Sequence, residues 1–588
     1  MEGYATKARA RSPRSILFGI GLLAPAVGLG AQSDDGAFDV LLRGGRVIDG
    51  TGNPWFRADV GIRDGRIAAL GDLTGASAGR TVDLGGRYVI PGFIDIHSHA
   101  DEGLGEEGAA GTPGARRRAA PNLVSQGVTT VVVNQDGRSP WPIAEQRALF
   151  ERLGIGPNTA LMVGHNSIRA MALGDDYRRP ATTAEVERMR DLVRQGMAEG
   201  AFGLSAGLEY VPGRWSETSE LYPLVEEAGR AGGVYIVHER SSGVTPMWFW
   251  PSQDDPGPPT MIETILEDIE IAEATGVTTV ATHIKARGSD FWGAGRTLIQ
   301  LIERARARGV PIWADSYPYH TTGSDGSTVL IPGWFLGRVS RGERAPGARP
   351  DFGAALASAL GDSELGLMLR RDIAHEIDRR GGADNLVIMD HLDSALVGRT
   401  LESLGTELGL APVEVAIRLQ VEGDAGRPGG ARIRGFSLSE MDVEAFASRP
   451  WVATASDAGI ALPGDGPVHA RYYGTFPRKL RRYAMELGAL TVEDAVRSAT
   501  SLPAQILGLR DRGMVRQGFV ADLAVLDLET LEDRATFFEP HQYATGVDYV
   551  LVNGRFVVDG GRLTYELPGT ILTPSDASSR TARTVSGA

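Results

Sequence analysis

The sequence predicts an α/β protein: a (β/α)8 TIM-type barrel with a small β-sandwich domain built from both chain ends and a lid insertion. Two observations predict the barrel. Apolar segments alternate with helical stretches through the middle of the chain, and a polar residue follows each apolar segment at its C-terminal end. Active sites of such barrels lie at that rim. The 588 residues are enough for more than one domain.

The composition excludes several classes of function. Hydrophobic residues make up 42% of the chain and charged residues 23%, which is ordinary for a globular protein. The net charge is -14 and basic residues are scattered, which argues against a nucleic-acid-binding surface. The chain has no cysteine, so disulfides, thiolate zinc sites and cysteine nucleophiles are excluded.

Residues 1–31 have the layout of a secretory signal peptide. Four basic residues precede an apolar run at 16–29, and small residues follow it. The run is short for a membrane span. We therefore expect a periplasmic or secreted protein with no stable membrane anchor after signal cleavage; the alternative is an uncleaved N-terminal anchor.

The rest of the chain divides by its sequence pattern. Residues 38–90 read as short strands separated by Gly and Asp, and the same pattern returns at 512–572. Both stretches are therefore predicted to build one sheet domain. The barrel is predicted over 91–511, with a lid insertion at about 335–450. The Ser/Thr-rich tail, 573–588, is expected to be disordered.

Eight apolar segments of the middle section are the predicted barrel strands. They are residues 93–96, 129–133, 160–163, 202–204, 234–237, 278–281, 311–314 and 451–455. Helical stretches lie between most of them, for example 184–198, 262–274 and 297–307. Thr182 and Glu185 predict a capping box at the start of the first of these helices.

The residues that follow these strands carry the candidate chemistry. They are His97, Asp136, His165, Ser205, His238, His283, Asp315 and Asp457. In an extended strand, residues two apart point to the same side, so His97 and His99 are expected to face one cavity as a chelating pair. Neutral imidazoles are common ligands of zinc and similar divalent metals.

Converging histidines favour a metal site, because any one of them alone would more often be a satisfied core residue. His97, His99, His238 and His283 all lie at predicted strand ends in apolar surroundings. A buried acid such as Asp457 is costly unless it is paired or coordinates a metal. By contrast, the neighbouring His375 and Glu376 lie in a charged helical stretch, and we predict that they are surface residues.

Two further kinds of candidate remain open from the residues alone. Asp315 fits a loop-capping acid and a functional acid equally well. Arg240, Lys285 and Arg471 are candidate cations near the rim; Lys285 lies two residues after His283 and can share a face with it.

Several motifs resemble the D-aminoacylase (N-acyl-D-amino-acid deacylase) branch of the amidohydrolase superfamily over about residues 38–560. They are residues 91–101 (PGFIDIHSHAD), 203–213 (GLSAGLEYVPG), 238–240 (HER), 282–286 (THIKA), 315–319 (DSYPY), 456–457 (SD) and 473–478 (YGTFPR).

The resemblance implies roles for individual residues. His97, His99 and Asp457 would form one metal position, and His238 and His283 the other. Asp457 would be the general base and then the general acid. The resemblance also implies that three residues hold the substrate carboxylate: Lys285, Tyr317 and Arg471.

One position departs from the family pattern. After the second strand the family usually has Gly-Asn-Cys-Gly with the cysteine as a metal ligand, whereas this chain has Asn-Gln-Asp-Gly, which puts Asp136 in its place. Carboxylate is a harder ligand than thiolate. We expect one or two divalent metal ions, with zinc favoured and with manganese or cobalt possible because of Asp136.

The resemblance implies an enzyme that hydrolyses C–N bonds other than ordinary peptide bonds, with a small N-acyl amino acid as its partner molecule. We expect deacylation of N-acyl-D-amino acids. Three alternatives remain: a cyclic amide or imide hydrolase, a dipeptidase, which would need an acid to receive a free α-amine, and a catalytically inactive binding relative.

Overall fold

The structure is a computed structural model and describes residues 37–109, 111–342 and 349–574. The predicted signal peptide lies outside these residues, as does nearly all of the predicted C-terminal tail. No helix within the described ranges is both long enough and apolar enough to cross a membrane.

The strands alternate with helices only in the middle of the chain. In order they are β1 Phe38–Val47, β2 Phe56–Arg63, β3 Arg66–Gly71, β4 Ala78–Asp83, β5 Tyr88–Pro91, β6 Phe93–Asp95, β7 Ser98–His99, β8 Val128–Val133, β9 Asn158–Leu161, β10 Val163–Gly164, β11 Gly203–Gly207, β12 Val234–His238, β13 Thr279–Ala281, β14 Ile312–Ser316, β15 Leu386–Asp390, β16 Arg432–Gly435, β17 Val452–Thr454, β18 Ala458–Gly459, β19 Leu523–Leu526, β20 Val547–Val552, β21 Arg555–Asp559 and β22 Arg562–Leu563.

The α-helices pack mostly around the middle strands. In order they are α1 Asp101–Leu104, α2 Pro113–Arg118, α3 Pro121–Val124, α4 Ile143–Leu153, α5 His165–Leu173, α6 Thr183–Ala198, α7 Thr218–Arg230, α8 Met261–Thr275, α9 Gly295–Ala307, α10 Gly333–Arg341, α11 Phe352–Leu360, α12 Ser363–Arg379, α13 Leu401–Leu408, α14 Pro412–Glu422, α15 Glu440–Ala447, α16 Arg471–Arg478, α17 Val492–Ala499 and α18 Ser501–Leu507. The capping box of Thr182 and Glu185 begins α6, as predicted.

One sheet joins the two ends of the chain. Its order is β22-β21-β20-β19-β5-β1-β2-β3, with β4 also paired to β1. The join is the antiparallel pairing of β5 with β19, in which Val89 lies opposite Val525. The sequence alone gives little sign of β4, because only one of its six residues is buried and it carries no apolar run.

The parallel strands of the middle section follow the order of a barrel. Strands β6, β8 and β9 pair in sequence, and β10, β11, β12, β13, β14 and β17 pair in sequence. Strands β9 and β10 are separated only by Met162, and β18, which follows β17, pairs with β7, which follows β6. The sheet therefore returns to its first strand, which brings the C-terminal strand ends together.

A long excursion separates β14 from β17. It contains α10 to α15 and the antiparallel pair β15–β16. Apolar residues of this excursion, such as Leu356, Leu369 and Ile433, form a hydrophobic cluster of their own. The excursion therefore folds around a separate core beside the barrel rim.

The prediction that His375 and Glu376 are surface residues is wrong for Glu376. Its side chain is buried and accepts hydrogen bonds from Arg379 and Arg380, while His375 is half-buried. A run of charged residues indicates an exposed helix face only when the charges have no partners. Here the partners lie three and four residues further along, at the last residue of α12 and at its C-cap.

Lys479 is a buried cation in the π-helical segment Lys479–Glu486. Its Nζ donates a hydrogen bond to the backbone oxygen of Ala447, and no acid among the described residues pairs with it. Burial lowers the pKa of Lys479 to about 7. Between that value and the ordinary lysine pKa near 10.4, the unfolded chain binds more protons than the folded protein, so stability rises with pH in this window.

We expect Lys479→Met to raise the free energy of unfolding at pH 7 by about 1–3 kcal/mol, because it removes a desolvated ammonium group. The gain should shrink at pH 10, where the lysine is neutral in the folded protein at little cost. Urea unfolding at both pH values measures this, with Arg481→Gln, an exposed change in the same segment, as the control. An equal gain at both pH values would contradict this explanation.

Candidate metal centre

Four histidines converge at the C-terminal ends of the barrel strands. His97 and His99 lie just after β6, His238 ends β12, and His283 lies two residues after β13. The side chains of His97, His238 and His283 are 5% exposed or less, and that of His99 is 35% exposed. The barrel therefore gathers four imidazoles into one enclosed space that opens on the side of His99.

The carboxylate of Asp136 lies among all four imidazoles. Its Oδ1 is 3.3 Å from His238 Nδ1 and 3.7 Å from both His97 Nε2 and His283 Nε2. Its Oδ2 is 3.6 Å from His99 Nε2. Two ligands of a tetrahedral ion, each about 2.0–2.2 Å from it, lie about 3.3–3.6 Å apart, so these separations suit shared coordination.

Asp136 belongs to two candidate ligand groups. One is His97, His99 and Asp136, and the other is Asp136, His238 and His283; within each group the ligand atoms lie within 4.8 Å of one another. The geometry therefore permits one ion in either group, or one ion in each group with Asp136 shared by both.

Asp457 completes the arrangement from the last strand of the barrel. Its Oδ1 lies 3.1 Å from His99 Nε2 and 3.6 Å from His97 Nε2. Its Oδ2 lies 2.8 Å from Arg471 Nη1. Burial opposes ionisation of Asp457, but Arg471 and His99 outweigh it and hold the pKa of Asp457 far below its ordinary value.

The residues present fit a divalent metal. His97 Nε2 and Asp136 Oδ1 are buried and have no hydrogen-bond partner among the described residues. Buried polar atoms are normally paired, so two such atoms facing each other call for a ligand between them. Nitrogen and carboxylate oxygen together suit zinc, manganese or cobalt.

Outer hydrogen bonds fix which nitrogen of His97 is free. Its Nδ1 contacts Thr282 Oγ1, and that hydroxyl donates to Asp315 Oδ2. Asp315 Oδ1 also accepts from the backbone N–H of His283. Asp315, which the sequence left open between two roles, thus acts behind the site and leaves Nε2 of His97 facing Asp136.

Glu209 does the same for His238. Its Oε2 lies 3.1 Å from His238 Nε2, while its Oε1 accepts from the backbone N–H of Met247 and from Arg287. A proton on Nε2 leaves the lone pair of His238 Nδ1 directed towards the centre, where Nδ1 lies 3.3 Å from Asp136 Oδ1 and 2.8 Å from His283 Nε2. Sequence reasoning assigned Glu209 no role; an acid two residues past a buried strand was the signal that could have found it.

Three of the candidate ligands have left-handed backbone conformations. The φ angles are +57° at Asp136, +38° at His283 and +50° at Asp457. Such a conformation costs about 1–2 kcal/mol for a residue with a Cβ. The turn at Asp136 is held by the backbone N–H of Gly137, which donates to the Ser205 hydroxyl. The left-handed backbone at these three positions directs their side chains towards the candidate metal centre.

The predicted carboxylate-binding residues lie on one side of the histidines. The Arg471 guanidinium stacks over the ring of Tyr317 at 4.8 Å, and Lys285 Nζ is 2.7 Å from His283 Nδ1. The hydroxyl of Tyr317 and Nε of Arg471 are buried without hydrogen-bond partners among the described residues. These donors are therefore free to receive an anionic group.

Other candidates named from the sequence lie elsewhere. His165 Nε2 is 2.9 Å from Glu220, which also binds Arg169, so this histidine belongs to a separate buried network. Arg240 pairs with Glu267 and does not line the cavity of Lys285 and Arg471. The strand-end positions were correct for both residues, but their side chains are taken up by acids from α7 and α8.

The comparison with known families decides the identification. The model of the amidohydrolase family matches residues 80–315 and 359–558, which include every candidate ligand. The chain belongs to the amidohydrolase family. Within it, the chain is 32% identical to a D-aminoacylase of Alcaligenes xylosoxydans xylosoxydans over 93% of this chain and all of that protein, and 33% identical to an N-acyl-D-glutamate deacylase of the same organism over 91% and 96%.

Solved structures of this branch share the fold of this amidohydrolase. A D-aminoacylase structure that describes the functional role of a binuclear metal center matches with a TM-score of 0.67 and 31% identity, covering 91% of this chain and all of that one. An N-acyl-D-glutamate deacylase of Bordetella bronchiseptica complexed with zinc and a phosphonate inhibitor matches with a TM-score of 0.67 and 29% identity, covering 92% and 100%. The prediction of a D-aminoacylase-like barrel is confirmed.

We expect Glu209→Gln to weaken retention of a divalent metal by about tenfold or more, because outer partners of metal-binding histidines typically contribute 10–100-fold to affinity. Competition with a chelator at neutral pH measures it. Glu220→Gln is the matched control, since Glu220 is also a buried acid on a histidine but lies on α7, outside the candidate ligand groups. Equal metal affinity in Glu209→Gln and the unaltered protein would rule out this role.

Proposed function

We propose that the protein hydrolyses the linear amide of N-acyl-D-amino acids, releasing a carboxylate and a free D-amino acid. One observation carries the proposal: two cations, Lys285 and Arg471, lie beside the candidate metal centre with the hydroxyl of Tyr317, and this hydroxyl and Nε of Arg471 have no hydrogen-bond partner among the described residues. An amide whose leaving group bears a carboxylate fits this layout. The similarity to D-aminoacylase and the N-acyl-D-glutamate deacylase supports it.

The carboxylate of the amino acid would bind between Lys285, Tyr317 and Arg471. The planar guanidinium of Arg471 suits a carboxylate, and Tyr317, whose ring lies against that guanidinium, supplies a hydroxyl without a hydrogen-bond partner among the described residues. Their contacts with the leaving half of the substrate fix the position of the scissile nitrogen close to Asp457.

Asp457 would move the proton. It would take a proton from the attacking water and return it to the departing amine nitrogen. When bound, a divalent ion supplies a lowered water pKa and polarises the scissile carbonyl. His97, His99, Asp136, His238, His283 and Asp457 are the residues that would hold it.

The identity of the metal depends on Asp136. We propose that zinc is favoured because four imidazoles surround the position, and that manganese and cobalt also bind because a carboxylate replaces the family's thiolate. We further propose that the protein works in the periplasm or outside the cell, a proposal that rests on the sequence of residues 1–31 alone.

A substrate panel tests the function. N-acetyl-D- and L-amino acids and cyclic imides are offered to protein loaded separately with zinc, manganese and cobalt. Hydrolysis of the D-configured N-acetyl compounds is expected. Hydrolysis of the imides alone would overturn the proposal.

Asp457→Asn with its metal retained should lower turnover of the N-acetyl-D-amino acids by roughly a hundredfold or more.

Arg471→Ala should raise KM for N-acetyl-D-amino acids by about tenfold or more, since hydrogen bonds between charged groups contribute about 1.5–3 kcal/mol. The corresponding C-terminal amides lack the carboxylate, so their KM should change much less. Steady-state kinetics on both series measures the difference, with Arg240→Ala as a control cation that pairs with Glu267. Equal KM increases for acids and amides would indicate a structural role for Arg471.

Asp136→Ala should lower metal content and activity together, because it removes the carboxylate common to both ligand groups. Asp136→Cys should restore metal and shift the preference towards zinc, since thiolate is the softer ligand. Metal content per chain, measured for the three proteins beside their activity, checks both expectations. A full metal complement in Asp136→Ala would reduce Asp136 to a turn residue.

A further inference from the structure

Two cavities of opposite charge meet at the candidate metal centre. The larger has a volume of about 630 Å³ and the smaller about 140 Å³. His99, Asp136 and Tyr210 line both of them. A substrate whose amide lies at this junction therefore places one half in each cavity.

The smaller cavity is cationic. Apart from the candidate metal ligands, its charged lining consists of Lys285, Arg287 and Arg471 against Glu209 alone. It contains the proposed binding site for the carboxylate of the amino acid. The acyl half of the substrate must then extend into the larger cavity.

The larger cavity is acidic. Its charged lining, again without the candidate ligands, comprises four acids and two arginines: Asp101, Glu102, Glu106, Asp465, Arg117 and Arg138. Arg117 is already bound, with its Nη1 2.6 Å from Asp465 and its Nε 2.9 Å from Glu106. Neither Asp101 nor Glu102 has an ion-pair partner among the described residues. Asp101 begins α1 only two residues after His99, and both residues line the larger cavity.

The lining also argues against a long aliphatic acyl chain. Ile460 is the one aliphatic side chain among the described lining residues of the larger cavity. A hydrocarbon chain there would lie against charged and hydroxyl-bearing groups and gain little from burial. A polar acyl group of opposite charge to the cavity would instead be attracted to it.

We propose that the preferred acyl group carries a protonated amine, so that the substrates are aminoacyl-D-amino acids: dipeptides whose C-terminal residue has the D configuration. The inference rests on the proposed function and adds the identity of the acyl half. An α-amine with a pKa of about 8 is mostly protonated at pH 7. Such a dipeptide is a zwitterion whose two charges match the two cavities.

The reaction is a simple hydrolysis. One water is consumed, the bond between the acyl carbon and the nitrogen of the D residue breaks, and the water oxygen becomes part of the new carboxylate of the N-terminal residue. The departing nitrogen receives a proton through Asp457 and leaves as the amine of the D-amino acid.

Isosteric acyl groups isolate the effect of charge. Glycyl and propionyl derivatives of one D-amino acid, chosen as the residue released fastest from its N-acetyl form, differ mainly in an ammonium group against a methyl group. We expect kcat/KM for the glycyl compound to exceed that for the propionyl compound by about fivefold or more, because one partly screened charge pair contributes about 1 kcal/mol. The malonyl derivative, which carries a negative charge, should be the poorest of the three.

Variants locate the effect. Asp101→Asn should lower the glycyl-to-propionyl ratio of kcat/KM severalfold, and Asp101→Lys should reverse the preference in favour of the malonyl compound. A ratio does not depend on the folded fraction of each preparation. Asp191→Asn is the matched control, because Asp191 is 72% exposed on α6 and its loss changes the net charge equally.

The outcomes separate the inference from the proposed function. A higher glycyl rate that falls in Asp101→Asn but not in Asp191→Asn supports the inference. Hydrolysis of the propionyl-D compound with an equal or lower glycyl rate overturns the inference and leaves the proposed function standing. Failure of the metal-loaded protein to hydrolyse any D-configured acyl compound overturns both.

Discussion

The structure of the site depends on one carboxylate held among four imidazoles. Burial by itself would raise the pKa of Asp136, but His238, His283 and His97 lower it far below its ordinary value, so Asp136 stays ionised inside the barrel. Two like-charged acids, Asp136 and Asp457, are therefore buried close together, and the histidines, Arg471 and Lys285 oppose their negative charge. This balance explains why so many nitrogen donors lie at one rim.

The fold meets the cost of this arrangement through its backbone and its outer hydrogen bonds. Three candidate ligands adopt left-handed conformations, which the surrounding buried strands enforce. Thr282 with Asp315 and Glu209 with Arg287 then fix the orientation of His97 and His238. If His97 or His238 could rotate, its metal-binding nitrogen would no longer point at the centre. The partners that hold the two rings are therefore part of the metal site.

Local patterns in the sequence predicted the elements whose side chains face one environment. The eight barrel strands follow from apolar runs, and the convergence of His97, His99, His238 and His283 follows from their places at strand ends, because a parallel barrel brings all such ends together. The sequence could not show which acids would reach them. Glu209 meets His238 only after the loop beyond β11 folds back, and Arg240 is drawn to Glu267 on α8. Glu376 was missed for another reason: its partners Arg379 and Arg380 lie nearby in the sequence, but this cluster is buried against distant residues, since Arg379 also donates to the backbone oxygen of Met247 and Arg380 to Asp325.

The most direct test of the central claim is anomalous diffraction from crystals of the protein loaded with zinc or manganese, recorded at the absorption edge of each metal. The account predicts one or two anomalous peaks within coordination distance of Asp136, flanked by His97 and His99 on one side and by His238 and His283 on the other. A peak that lies beyond coordination distance of the Asp136 carboxylate, or a metal bound away from these histidines, would contradict it.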